Sequence, residues 1–323
     1  MSKRLDILYA LGDGRFHSGE ALAQALGVSR TAVWKHLQAL GEWGLDVHAV
    51  PGKGYRLAAP LELLRREAIV AALDQNSRPL LADLELHLQL TSTNTHLSAR
   101  ATAGLPSGHA CLAEYQTAGR GRRGRSWVSP FAANVYLSLL WRFSLAPATL
   151  GGLGLAVGVA VVRALQQAGL QGIGLKWPND VIWRGRKLAG TLLEMTGESF
   201  GPVAVIIGIG LNVRMPASAG AAIDQDWVDM ETALGAGTSR NALAGVLLHH
   251  LLLALRDYQN AGLAPFLEEW RRHDLIAGKS VRLQLPHRTL TGIAQGVDQT
   301  GALLLQDRGT VTSHAAGEVS VRL

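Results

Sequence analysis

Two serine-capped helical runs lie nearly end to end close to the start of the chain, which leaves room only for a tight turn between them. Ser18 stands where an N-cap belongs, Glu20 falls in the first turn, and Leu22, Ala25 and Leu26 share one face before Gly27 ends the run. Ser29 caps the next run, in which Val33, Leu37 and Leu40 recur at i, i+4 and i+7. An earlier short helix is marked by Leu5, Leu8 and Leu11 and stopped by Gly12-Asp13-Gly14. This spacing predicts a helix-turn-helix whose second helix turns Thr31, Trp34, Lys35 and Gln38 outward, as a major-groove reader requires.

The segment Leu45-Asp46-Val47-His48-Ala49-Val50, the turn Pro51-Gly52-Lys53-Gly54 and Tyr55-Arg56-Leu57 read as a hairpin with a lysine at its tip, completing a winged helix. The residues expected at a nucleic acid are Ser18, Ser29, Arg30, Thr31, Trp34, Lys35, Gln38 and Lys53. The competing reading is a helical module for protein contact. His17, His36 and His48 read as capping or surface groups, since no H-E-x-x-H spacing supports a metal. Pro60 and the following Leu61-Glu62-Leu63-Leu64-Arg65-Arg66-Glu67 read as a connection, giving domains over 1–62, 63–273 and 274–323.

With 323 residues, 48% hydrophobic and 17% charged, the chain can build several cores, and its composition argues against disorder. A net charge of +6 suits an acidic partner such as nucleic acid or nucleotide phosphate. Cys111 is the only cysteine, which excludes a disulfide framework or a cysteine-based zinc site within one chain and suits a reducing cytoplasm. Asp6 interrupts the apolar core a signal peptide would need. No charge occurs between Arg142 and Arg163, about the span of a transmembrane helix. Pro147, Thr149 and the glycines at 151, 152, 154 and 158 weaken that reading. Val157, Ala160, Val161, Ala164, Leu165 and Ala168 instead predict a core helix, with no membrane partner.

The segment Gly119-Arg120-Gly121-Arg122-Arg123-Gly124-Arg125-Ser126-Trp127 can wrap an anion: glycines bring backbone N–H groups close, and guanidinium forks match phosphate oxygens. It also satisfies G-x-G-x-x-G. A dinucleotide turn must open a helix, however, and here Pro130 and the strand-like Asn134-Val135-Tyr136-Leu137-Ser138-Leu139-Leu140-Trp141 follow. No Walker-type G-x-x-x-x-G-K-[ST] occurs.

Leu84 to Leu90 alternates as a strand and ends in Thr91-Ser92-Thr93-Asn94-Thr95, a set of uncharged hydrogen-bonding groups fit for a ureido carbonyl, although such residues more often simply cap the next helix. Lys176-Trp177-Pro178-Asn179-Asp180 combines cation, aromatic, rigid turn and carboxylate. Arg186-Lys187-Leu188-Ala189-Gly190-Thr191-Leu192-Leu193-Glu194 places a lysine before an apolar strand, and Val203 to Ile207 runs into Gly208-Ile209-Gly210-Leu211-Asn212.

Taken in order, Ser92-Thr93-Asn94, Gln116, the arginine–glycine loop, Lys176 to Asp180, Lys187 with Gly190, and Gly208 to Asn212 resemble the biotin–protein ligase family. With Ser18 to Leu40 and the wing, the chain is similar to the bifunctional type, a ligase that is also the biotin operon repressor. The resemblance implies an α+β multidomain chain. It would have an N-terminal winged helix-turn-helix, a central class II synthetase-like mixed sheet with helices, and a C-terminal small SH3-like β-barrel. Four short runs support the last on their own: Ser280 to Leu285, Gly292 to Val297, Ala302 to Leu305 and Glu318 to Val321.

The activity implied is attack of the biotin carboxylate on the α-phosphate of ATP, accompanied by Mg2+, to give biotinyl-5′-AMP. A lysine of the biotin carboxyl-carrier protein of acetyl-CoA carboxylase then takes the acyl group. The resemblance gives Arg120, Arg122, Lys187 and Asp180 catalytic parts. It gives Ser92, Thr93, Asn94, Gln116, Arg120, Gly121, Arg122 and Lys187 biotin contacts, and Trp127, Lys176, Asn179 and Asn212 adenylate contacts. Asp180 is left with two roles, holding Mg2+ or orienting the incoming lysine. Operator DNA and a homodimer formed on biotinyl-5′-AMP complete the implied partners. Met215 to Ala222 is poor in specific side chains where repressors have a ligand-ordered loop, and Trp227 is the group around which it could fold.

Two rivals share features. A lipoate ligase or octanoyl transferase also acylates a carrier lysine, but its flexible acid needs no ureido partners. A non-enzymatic ligand-sensing transcription factor would have the N-terminal module without the phosphate chemistry that Lys187 and the arginine loop suggest.

Overall fold

The structure, a computed structural model, describes residues 3–144, 147–197, 202–235, 237–285, 288–316 and 320–322. Helices α1 (Lys3–Leu11), α2 (Gly19–Leu26) and α3 (Arg30–Gln38) precede the hairpin β1 (Val47–Val50) and β2 (Gly54–Leu57). Ser18 Oγ accepts from Ala21 N at 3.0 Å and Ser29 Oγ from Ala32 N at 3.2 Å, while Gly27 takes the left-handed conformation that ends α2. Ile7, Leu8, Leu11, Leu22, Val33 and Leu37 close the small core. Leu40, expected on α3, is buried instead in the tighter helical turn Ala39–Trp43 that follows it. A Cβ on Gly54 would meet the His17 carbonyl oxygen at 2.1 Å, so only glycine lets the wing pair with the start of α2.

The connection is clamped. Glu114 Oε1 accepts from Leu64 N at 2.5 Å, Asn241 Oδ1 accepts from Arg65 N at 2.7 Å, and Arg214 donates to Pro60 O at 3.1 Å. Arg240 Nη2 pairs with Glu114 Oε2 at 2.8 Å, both side chains being almost fully buried.

After α4 (Arg66–Val70) come β3 (Asp83–Leu90), α5 (Thr93–Thr102), β4 (His109–Gln116) and β5 (Val135–Phe143). Then follow α6 (Leu153–Gln167), β6 (Ile173–Lys176), β7 (Asp180–Trp183), β8 (Arg186–Gly197) and β9 (Val203–Leu211). The strands form one seven-stranded sheet in the order β3-β4-β5-β9-β8-β7-β6, in which β3 and β4 are parallel and the other pairs antiparallel. Helix α5 is the crossover that a parallel pair requires.

Short helices α7 (Ala217–Gly220) and α8 (Met230–Leu234) lead to α9 (Arg240–Ala261) and α10 (Ala264–His273). Strand alternation divides the core. Leu137, Leu139, Val205, Ile207 and Ile209 join the cluster under α6, α9 and α10, whereas Cys111, Leu140, Ala204 and Ile206 join Leu97 and Ala101 of α5. Residues 147–167 pass the length and hydropathy test for a membrane span, yet eleven residues of α6 are buried in this core.

The last unit is a five-stranded antiparallel sheet, β13-β12-β11-β10-β14, from β10 (Ser280–Gln284), β11 (Thr289–Val297), β12 (Leu303–Asp307), β13 (Thr310–His314) and β14 (Ser320–Arg322). Strand β13 was not expected. Its Thr-Val-Thr-Ser-His sequence is an exposed edge with no buried face to mark it. Glu318 and Val319, expected to start the final strand, lie outside the described residues.

Candidate active site

Gly190, Gly208 and Gly210 make a floor without side chains in the sheet, Gly190 facing Gly210 across the β8–β9 pair. A Cβ on Gly208 would fall 2.2 Å from Asn94 Oδ1, and one on Gly210 2.4 Å from Trp127 Cε2. Both side chains therefore lie flat on the sheet. Above the floor is a cavity of about 550 Å³, of the size that holds small-molecule ligands. Ser92, Thr93, Asn94, Gln116, Arg120, Gly121, Arg122, Trp127, Lys176, Asn179, Asp180, Lys187 and Asn212 all line it, so segments far apart in sequence meet in one place.

One end is polar and uncharged apart from a single carboxylate. Thr93 donates to Gln116 Oε1 through its amide at 2.9 Å and its hydroxyl at 3.2 Å, and Gln116 Nε2 donates to Ser129 Oγ at 3.0 Å. Ser92 Oγ accepts from Thr95 N at 3.5 Å, capping α5, so this residue both starts the helix and lines the cavity. Ser138 Oγ lies 2.7 Å from Thr93 Oγ1 and 2.6 Å from Asn94 Oδ1. Asn94 Nδ2 donates to Glu194 at 2.8 Å, and the other Glu194 oxygen pairs with Arg120 at 2.8 Å. Sequence reasoning missed Ser138 and Glu194. Their signal is strand parity, Glu194 standing at i+2 and i+4 from Leu192 and Gly190 on β8.

The arginine–glycine segment folds back on itself. Gly121 N donates to Arg125 O at 2.7 Å and Trp127 N to Gly119 O at 2.8 Å, with Arg123 in the left-handed region at φ 58°. Arg120 and Arg122 line the cavity with the backbone of this turn. Arg122 donates to Asn179 Oδ1 at 3.0 Å and to the carbonyl of Ala316, which ties the loop to the C-terminal unit. Burial pulls the Arg122 guanidinium below its ordinary value, and Asp180 opposes that shift.

Lys187 Nζ lies 2.8 Å from Asp180 Oδ1 and 5.4 Å from the Trp127 ring centre. The β7–β8 register explains the pairing. Asp180 opposes Gly190 and Val181 opposes Ala189, but Ile182 opposes Lys187, leaving Leu188 as the extra residue of a bulge. Without the bulge Lys187 would face Trp183 and point away from the cavity. Trp127 Nε1 is buried without a protein partner, a donor that a bound ligand can satisfy.

Asn212 has a different setting from the others: its Nδ2 donates to Val228 O at 3.1 Å, tying the end of β9 to the segment after Trp227. The alanine-rich 215–222 segment is organised around Trp227, whose indole would be 2.2 Å from a Cβ on Gly220 and whose Nε1 donates to Gly220 O at 3.2 Å. Trp177 is turned into the core, its Nε1 donating to Gly301 O at 3.1 Å.

Of the residues expected at DNA, all are exposed and none lies near the cavity. Arg30, Thr31, Trp34, Lys35 and Gln38 stand on α3, Trp34 being 52% exposed, and Lys53 stands at the wing tip. Ser18 and Ser29 use their hydroxyls as helix caps.

Three family profiles match in the same order as these units: an HTH domain over residues 3–56, the biotin/lipoate A/B protein ligase family over 86–212, and a biotin protein ligase C terminal domain over 276–322. The bifunctional ligase/repressor BirA of Escherichia coli is 42% identical over 318 residues, covering 98% of this chain and 97% of that one. The protein of the same name in Bacillus subtilis is 34% identical over 310 residues, covering 95% and 94%. The solved biotin protein ligase of Aquifex aeolicus, in complex with biotin and ATP, superposes with a TM-score of 0.64 at 27% identity, covering 75% of this chain and 99% of that one.

Proposed function

Because this chain belongs to the family of bifunctional biotin–protein ligase/repressors, we propose that its cavity makes biotinyl-5′-AMP from biotin and ATP and passes the biotinyl group to a carrier lysine. The observation that carries this reading is the convergence of Arg120, Arg122, Lys187 and Asp180 beside a hydrogen-bonding end whose one carboxylate, Glu194, is paired with Arg120. A ureido ring suits Ser92, Thr93, Asn94 and Gln116, which offer donors and acceptors without net charge. The carboxylate then points to the Lys187 and arginine end.

In the first step a carboxylate oxygen forms a bond to the α-phosphorus of ATP as the bond to pyrophosphate breaks. Negative charge grows on the phosphoryl oxygens. Lys187 Nζ and the Arg120 and Arg122 guanidinium groups are the donors nearest to it, and one such donor is commonly worth about 3–4 kcal/mol of barrier. Trp127 packs over the adenylate, with its unpartnered Nε1 available to a ligand oxygen. Lys176, Asn179 and Asn212 complete the nucleotide end of the cavity.

In the second step the carrier lysine attacks the acyl carbon and AMP leaves. Once Lys187 turns to the phosphate, Asp180 is released to accept the proton of the incoming ammonium. Magnesium enters with the substrate, as Mg-ATP, and the same release of Asp180 from Lys187, 2.8 Å away in this structure, would let that carboxylate help to hold it.

The acceptor we propose is the biotin carboxyl-carrier protein of acetyl-CoA carboxylase, and the setting the cytoplasm. We also propose domains over 1–62, 63–273 and 274–323, supported by the clamped connection at Glu62 to Arg65. The N-terminal module serves as the operator reader, with α3 in the major groove and Lys53 at the backbone. Biotinyl-5′-AMP is proposed to promote a homodimer, since the cavity wall at 222–225 continues into the exposed residues 216–218. Incubation with biotin, Mg-ATP and a carrier domain should biotinylate one lysine. Failure with biotin and success with lipoate would move the chain to the lipoate branch.

A further inference from the structure

A second cluster of reactive side chains lies away from the ligand cavity, on the sheet face that α5 covers. Glu85 and His87 stand two apart on β3, and Cys111 of β4 is the parallel register partner of Glu85, so strand parity puts all three on one face. His96 and Arg100, one helical turn apart on α5, come down on the same spot. One ligand atom from each of His87, His96 and Cys111 lies within 4.8 Å of the other two. Glu85 Oε2 is 3.2 Å from His87 Nε2 and 3.0 Å from His96 Nε2, and its other oxygen pairs with Arg100. Cys111 is fully buried.

We propose that His87, His96 and Cys111 form a site for one divalent transition ion of zinc-like softness, with Glu85 supplying the second negative charge. Two imidazoles and a thiolate are a ligand set that zinc prefers. Bonds of about 2.3 Å to sulfur and about 2.0 Å to nitrogen set tetrahedral ligand atoms roughly 3.5 Å apart, so the three donors need draw in by only about an ångström. The thiolate and Glu85, a carboxylate shared with Arg100, offset the charge of the ion in part. A single cysteine rules out sites built from several thiolates, and the sequence reading extended that to every cysteine-based site. The parallel register of β3 and β4, which brings His87 to the one thiol, and the packing of α5, which brings His96, remove the objection. The ion would join the first turn of α5 to β3 and β4, and so brace the helix whose first residues line the ligand cavity. This site does not depend on the ligase reading.

The test is a cobalt titration of the full-length, untagged chain after treatment with a chelator. One Co2+ per chain should bind, with the intense visible bands of tetrahedral cobalt and a thiolate-to-cobalt charge-transfer band. Because the chain has one cysteine, that band can arise only from Cys111. Zn2+ should displace the cobalt and raise Tm. His96→Gln should weaken binding at least tenfold and Cys111→Ser should abolish the charge-transfer band. His250→Gln, outside the cluster, should leave both unchanged. Absence of binding by the wild-type chain, cobalt bound without the charge-transfer band, or unchanged affinity in a His87→Gln/His96→Gln variant would each overturn the proposal.

Discussion

The indole of Trp43 lies parallel to the ring of Phe131, with 4.5 Å between centroids and 5° between planes. Trp43 closes the N-terminal helical unit, while Phe131 follows directly on the arginine–glycine segment and the Ser129-Pro130 turn. Trp43 Nε1 also donates to Gln89 at 3.0 Å. Phe131 is buried with Ile7, Leu8 and Val33 in the core of the helix-turn-helix unit, so the loop that lines the cavity is continuous with the packing of that unit.

Phe131→Ala should therefore separate the two activities. Loss of this buried ring should cost about 3–5 kcal/mol in stability of the N-terminal unit. Biotin-dependent exchange between ATP and pyrophosphate should stay within about threefold of wild type, a small change on the barrier scale. Gel shifts with and without biotin and Mg-ATP would check it, the expected outcome being operator binding that no longer responds to ligand.

Gly208→Ala should damage the polar end of the cavity. The added Cβ falls 2.2 Å from Asn94 Oδ1, on a side chain held by Ser138 and Glu194. The KM for biotin should rise, while that for ATP changes much less; steady-state kinetics with each substrate varied would show the split.

Arg122→Lys should lower kcat about a hundredfold or more, the scale of removing one preorganised donor. A lysine cannot serve Asn179 and the Ala316 carbonyl as a planar fork does. Unfolding curves should show that the variant remains folded.

The connection carries a pH signature. Burial would raise the Glu62 carboxyl, but hydrogen bonds from Asn241, Ser239 and the Arg240 amide outweigh it and hold the group below 4.5. A lowered carboxyl contributes stability above its unfolded value and loses it as pH falls through the folded one. Glu62→Gln should thus lower Tm at neutral pH, and the gap from wild type should shrink as pH falls below about 4.5. Thermal unfolding from about pH 7 to about pH 3 would measure it.

Features written in local chemistry were legible from the sequence. Ser18, Gly27 and Ser29 announce the helix-turn-helix through caps, and the glycines at 119–125 announce a tight turn, whose arginines line the cavity. Features that depend on register were not. The bulge at Leu188 decides that Lys187 meets Asp180, and nothing in Arg186-Lys187-Leu188 reports it. The joining of Asn94 to Arg120 through Glu194 needs the β8–β9 register, and the cluster at Cys111 needs the β3–β4 register. Strand β13 hid for another reason, since an exposed polar edge has no hydrophobic alternation to read.

The central claim, that Lys187 and the arginine loop build an acyl-adenylate from biotin, is tested most directly by isotope exchange between pyrophosphate and ATP. Exchange should require biotin, be absent with lipoate, and fall at least a hundredfold in Lys187→Ala. Exchange driven by lipoate, or exchange with biotin that persists undiminished in Lys187→Ala, would contradict it.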